Sequence, residues 1–167
     1  LQRLNFFNTV SGEKELFTPN RKNVGLYICG PTVYSDTHLC HAKSYVSFDV
    51  MKRWLEYRGH EVTHIQNFTD VSDETALGAS KEGIDELQFT RKYENEFLDK
   101  MKLLSNTPAT KYTRASDFVR QIAEETKKLL DADEAYQTDE GVFLRIKQEE
   151  HGKLLGVDLE QSLVEGT

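Results

Sequence analysis

Three short stretches hold most of the residue types that can do chemistry. His38 and His41 stand three apart in His38-Leu39-Cys40-His41, just ahead of a segment with helical apolar spacing. At a helix start two imidazoles can join the unpaired N–H groups and the positive dipole end in holding one anion, with phosphate the natural occupant. The same pair can equally be ordinary polar surface residues. Cys29 closes an apolar run, where a lone cysteine is either a small core residue or a soft metal donor. The only other cysteine is Cys40, and their separation fits no common structural zinc spacing. The third stretch is Asn67-Phe68-Thr69-Asp70. Asp70 and Asp73 could hold a metal or a ribose, or serve as helix caps, while Ser35 and Asp36 are turn formers first. Neither a P-loop, nor a Gly-x-Gly-x-x-Gly turn, nor a nucleophile elbow is present.

These stretches need elements to position them. Gly25-Leu26-Tyr27-Ile28-Cys29 reads as a buried strand, broken by Gly30-Pro31. Over residues 41–57, Tyr45, Phe48, Met51 and Leu55 recur at near-helical spacing, and Val46, Val50 and Trp54 widen the stripe, which implies burial on most sides. Gly59 supplies a stop, and residues 61–66 read as a second strand. Strand, helix and strand in this order make a βαβ unit with parallel strands. All three chemical stretches then fall at the strand-to-helix side, where open α/β sheets place ligands.

Later in the chain, Leu87, Glu94, Phe97, Leu98, Met101 and Leu104 describe an amphipathic helix ended by Asn106-Thr107-Pro108. A second is expected over residues 116–130, with Ser116 as N-cap and Val119, Ile122, Ala123, Leu129 and Leu130 on one face. Alternation on either side of Asp139-Glu140-Gly141 predicts a β-hairpin. No element is expected beyond Gln148. The 167 residues suit about one domain, and 38% hydrophobic with 29% charged residues is ordinary globular material. Residues 1–75 carry 8 basic against 9 acidic side chains and residues 76–167 carry 13 against 19, which does not demand a nucleic-acid partner and reads as a solvated acidic surface. No apolar run has the roughly 18 residues of a membrane span and no leader pattern opens the chain, so a soluble, cytoplasmic protein is expected. The first residue is Leu1 rather than Met, so a fragment of a longer protein is the expectation.

Taken together, Cys29-Gly30-Pro31-Thr32-Val33-Tyr34, His38-Leu39-Cys40-His41, the following Ala42-Lys43-Ser44-Tyr45-Val46-Ser47-Phe48-Asp49-Val50, and Asn67-Phe68-Thr69-Asp70 closely resemble the start of cysteinyl-tRNA synthetase, a class I aminoacyl-tRNA synthetase. The resemblance continues through residues 91–98, 113–116 and 152–155. It implies an α/β, Rossmann-like parallel-sheet half-fold of the class I synthetase (HUP) type in residues 1–75, followed by a mostly helical insertion with a β-hairpin in residues 76–167. It implies ATP with Mg2+, L-cysteine and tRNA(Cys) as substrates and partners, tRNA mainly through domains outside this chain, and no membrane.

By the same resemblance, His38 and His41 match the two histidines of the His-Ile-Gly-His signature, which contact ATP phosphates and stabilise charge as the amino-acid carboxylate attacks the α-phosphorus. Cys29 matches the first ligand of a zinc ion (Zn2+) that binds the substrate thiolate. Gly30, Thr32 and Thr69, with Tyr34 and Asp70 beside them, match positions lining the amino-acid and adenylate pocket. Cys40 stands where the signature has glycine. The other zinc ligands and the Lys-Met-Ser-Lys-Ser loop are not found in the chain. Two alternatives stay open: a related ligase joining cysteine to an amino-sugar, and a non-catalytic module that keeps the fold.

Overall fold

The computed structural model describes residues 4–19, 22–146, 152 and 154. Residues 153 and 155, within the stretch 152–155 quoted above, and all the rest of the segment after Gln148 except 152 and 154 lie outside the described residues. The chain divides into two compact units, one of residues 20–119 and one of residues 1–19 with 120–167.

In the second of these, β1 (Asn5–Asn8) and β2 (Glu13–Leu16) form an antiparallel hairpin that the sequence reading did not foresee. In the unit of residues 20–119, the chain runs through β3 (Asn23–Ile28), α1 (Leu39–Tyr57), β4 (Glu61–Phe68), α2 (Asp73–Glu82), α3 (Glu86–Leu103) and β5 (Lys111–Arg114). The expected βαβ unit is there, with β3 and β4 paired in parallel from Asn23 opposite Glu61 to Ile28 opposite Gln66. Gly59 ends the helix with a φ of 86°, a left-handed turn costly for a residue with a Cβ. Neither α2 nor β5 was expected. The short Lys111-Tyr112-Thr113-Arg114 run has no alternation strong enough to announce a strand, yet it adds a third parallel strand beside β4. The segment read as an insertion therefore contributes a strand to the catalytic-type sheet.

On one face of this sheet, Ile28, Val33, Phe68, Tyr45 of α1, and Phe97 and Met101 of α3 form the core. Phe97 meets Tyr45 and Phe68 edge-on, at centroid distances of 4.9 and 5.7 Å, and Phe68 stacks on Tyr112 at 5.5 Å. Offset and edge-on pairs of this kind add to plain area burial. Burial of α1 on most sides is corrected: it buries Tyr45, Lys52 and Leu55, while Val50 and Trp54 are exposed. Only one side of α1 meets the sheet, and Trp54 stacks on Tyr57 of its own helix, 5.4 Å away.

One 3-10 turn over Ala115–Phe118 leads into α4 (Val119–Asp131). Ser116 is thus not an N-cap, because its hydroxyl donates to Asp70 instead. The expected hairpin closes the described part, with β6 (Ala135–Thr138) antiparallel to β7 (Gly141–Leu144).

Candidate active site

The site is built on the two loops that leave β3 and β4 at their carboxyl ends. These loops continue the parallel pairing beyond the strands. Thr69 N–H donates to Pro31 O at 3.1 Å, Val33 N–H donates to Thr69 O at 3.2 Å, and Thr32 and Thr69 form a parallel bridge. Gly30 N–H donates to the Asn67 Oδ1 at 2.7 Å. A Cβ at Gly30 would lie 1.4 Å from the Asn67 carbonyl oxygen. The glycine is there because the two backbones touch.

Asp70 was expected among the residues that contact substrate or ATP. The structure places its carboxylate in an internal hydrogen-bonded pair. It is fully buried, and its carboxylate accepts from Ser116 N–H at 2.9 Å and Ser116 Oγ–H at 2.5 Å. Those bonds fix the loop that presents Thr69. Beside it, Glu94 is the acidic member of the α3 stripe, buried between Arg91 and Arg114. Tyr34 is half-exposed and lines a shallow cavity with Leu77 and Gly78 of α2 and Phe89 and Tyr93 of α3.

His38 is the N-cap of α1. Its Nδ1 accepts from Cys40 N–H at 3.2 Å, and its own N–H donates to His41 Nδ1 at 3.3 Å. This is a capping box built from two imidazoles, whose rings stack with centroids 4.0 Å apart. A neutral imidazole has one donor and one acceptor nitrogen. With both Nδ1 atoms accepting, the proton of each ring sits on Nε2, and the box arms two N–H donors. Burial and the neighbouring His38 push the pKa of His41 below its ordinary value, with Glu96 pulling the other way. No acidic side chain occupies the first turn of α1 to compete for an anion. The approach to the cap is pinned by Thr37, whose N–H and Oγ–H both donate to Glu96 Oε2, at 3.1 and 2.5 Å.

Cys29 is exposed at the end of β3, its sulfur 3.7 Å from Gly30 O, so a thiolate there can serve as a metal donor. Its carbonyl accepts from Tyr45 Oη–H at 3.0 Å. Among the described residues no group of three or more His, Cys, Asp or Glu side chains converges to hold a metal ion. One soft donor fits zinc, but the described residues do not complete a site. Cys40 is exposed and opens onto a groove with Lys43, Ser44, Ser47 and Phe48 along α1.

Asn67, Tyr45 and Glu96 were missed as positioning residues. For Asn67 a signal existed, since it sits in the quoted stretch two residues before Thr69. Tyr45 looked like core, and Glu96 like surface.

The family model for tRNA synthetases class I (C), catalytic domain, matches residues 16–165. The chain belongs to that family. It is 40% identical to the cysteine--tRNA ligase of Thermococcus onnurineus over 162 residues, 96% of this chain and 34% of that protein. It is 38% identical to that of Pyrococcus horikoshii (95% of this chain, 34% of that protein) and 40% identical to that of Dehalococcoides mccartyi (96% and 35%). The chain thus spans about a third of the length of the relatives it matches. Among solved structures it resembles a chain of the Agrobacterium radiobacter K84 agnB2 LeuRS-tRNA-LeuAMS ternary complex. The TM-score is 0.60 at 18% identity, over 68% of this chain and 15% of that one, which shows the fold alone. The fold is that of a class I synthetase catalytic domain, with a parallel three-stranded sheet. Among the described residues no helix is long and apolar enough to cross a membrane.

Proposed function

We propose that the chain is the part of a cysteine--tRNA ligase that starts cysteine activation, ahead of transfer to tRNA(Cys). In that step a carboxylate oxygen of cysteine bonds to the α-phosphorus of Mg2+-bound ATP, the bond from that phosphorus to the pyrophosphate oxygen breaks, and pyrophosphate leaves. No proton has to move, so the protein's task is positioning and charge stabilisation. The observation that carries the reading is the capping box at the start of α1, which turns the Nδ1 of both His38 and His41 to the backbone and leaves both Nε2 atoms free to face a ligand. Two neutral donors beside a helix N-terminus suit the charge that grows on phosphate oxygens.

In this reading Thr32 and Thr69, bridged to each other, present side chains to the amino acid, and Asn67, Gly30 and Asp70 hold them in place. Residues 1–75 are the first half of the catalytic fold and residues 76–167 the connective segment, whose α3 and β5 return to the sheet. Cys29 is the residue in this chain that would hold zinc, and the remaining ligands come from elsewhere in the intact protein. When bound there, zinc supplies a preference for a thiolate over a serine hydroxyl.

The test is cysteine-dependent exchange of pyrophosphate into ATP by the intact protein. His38→Asn keeps an N-cap acceptor but removes the Nε2 donor, and exchange should fall by about 10²–10³. Exchange that depends on a different amino acid, or that is unchanged in both His38→Asn and His41→Gln, would overturn the proposal. Supplying tRNA or an amino-sugar as acceptor then separates the two cysteine ligases.

A further inference from the structure

Away from the loops of the candidate site, the sheet face beneath α1 and α3 is not fully packed. A cavity of about 420 Å³ opens there, within the size range of ligand pockets. Tyr45, Phe97 and Tyr112 give it ring walls, with Ile28 and Met101 between them. Its floor is β4, where His64 and Gln66 are 6% and 4% exposed. Both ring nitrogens of His64 and the Nε2 of Gln66 have no hydrogen-bond partner among the described residues. Such groups are costly to bury unpaired, and native structures rarely leave three together.

We propose that this cavity binds a small uncharged molecule with an apolar, ring-sized body and a hydroxyl head. The charged groups around it are largely engaged already: Asp49 on the lining bonds Arg53 at 2.6 Å, Lys52 donates to Pro108 O at 2.9 Å, and Asp99 and Lys102 on the lining are of opposite sign. An ion of either sign therefore gains little. A neutral His64 offers one acceptor and one donor, and Gln66 offers further N–H donors. One hydroxyl can pair with one ring nitrogen of His64 and accept from Gln66, which meets the part of that set sharing one side of the ring. Burial and the nearby Lys52 hold the pKa of His64 below its ordinary value, which keeps the imidazole neutral, although Asp49 opposes them. Water alone matches the head of the cavity but not its body, because each buried water wants two to four polar partners and most of this wall is carbon.

The inference does not depend on the activity proposed above: of the residues that position the candidate site, Tyr45 also lines the cavity, but it does so through its ring, and the probes are read by binding alone. Phenol and toluene serve as probes, titrated into the intact protein by calorimetry, with crystals soaked in each. Phenol should bind at least tenfold more tightly than toluene, with its oxygen within hydrogen-bond reach of His64 and Gln66. His64→Phe fills the space and removes both nitrogens, so it should lose at least tenfold in phenol affinity. Gln66→Leu should weaken phenol and leave toluene unchanged. Equal affinity for the two probes in the unaltered protein, a soaked cavity holding only water, or a cavity filled by another segment of the intact chain would each overturn the proposal. The two-probe comparison needs no variant to fold.

Discussion

The paired loops after β3 and β4 and the start of α1 serve one site by opposite means. The loops are locked mainly by backbone: two backbone–backbone N–H bonds tie them together, a third N–H donates to the Asn67 side chain, and no side chain can be added at Gly30. The start of α1 is held by side chains, since two imidazoles cap each other's helix turn while remaining accessible. In the function proposed above, the loops fix where substrate atoms sit and the helix start supplies donors. Damage to the loops should therefore appear first as lost folding, and damage to the helix start as lost turnover.

Gly30→Ala should have the largest effect of all. A Cβ overlapping the Asn67 carbonyl forces β3 and β4 apart, at a cost above about 4 kcal/mol. Urea unfolding of the intact protein should show an early transition or none, and near-normal stability would break the comparison.

Asp70→Ala leaves the Ser116 N–H and hydroxyl without their acceptor, at a cost of about 1–3 kcal/mol. Its activity loss should be partly recovered by a stabilising osmolyte. A direct ligand contact would give loss that no osmolyte restores.

His41→Gln sharpens the other side. Glutamine can still accept from the N-cap backbone, so the unfolding midpoint should move by less than about 0.5 kcal/mol equivalent. Activation should still fall severalfold to a hundredfold.

The smallest effect is a pH dependence. Burial holds the folded pKa values of both His41 and His64 below the ordinary imidazole value of 6.5. Between the two values the unfolded chain binds more protons, so stability is complete above about pH 6.5 and declines as the pH falls through the folded values. Thermal midpoints measured from pH 7 to pH 5 should drop, and His64→Phe should flatten the drop. A midpoint that rises on acidification would contradict this sign.

What the sequence disclosed depended on whether one element could explain its own pattern. The βαβ unit was legible because Gly30-Pro31 and Gly59 punctuate apolar runs, the first in the loop after β3 and the second in a turn after α1. The hairpin around Asp139 to Gly141 was legible for the same reason. β5 was not, since a four-residue strand takes its identity from β4 beside it. The helices α3 and α4 show the limit of periodicity. Each carries a regular apolar stripe, but α3 buries Phe89, Phe97 and Met101 while α4 buries none of its residues. A stripe says that something should cover it, not what does. In the site, His38, His41 and Cys29 were visible as chemical types, and the resemblance gave them roles. Their supports were less visible, because Asn67 and Glu96 act on residues 37 and 59 positions away in sequence.

Tyr45 belongs to neither side of the comparison. Its ring packs edge-on against Phe97 in the core and its hydroxyl holds the carbonyl of Cys29. Mutational drift can exchange Met101 for another apolar residue of similar volume and leave the thiol where it was. Drift at Tyr45 has no such freedom, because phenylalanine satisfies the ring's neighbours and releases the cysteine, while a smaller polar residue loses both the ring packing and the reach to the carbonyl. The position answers to two selections at once, and its substitutions should be the rarest in this core.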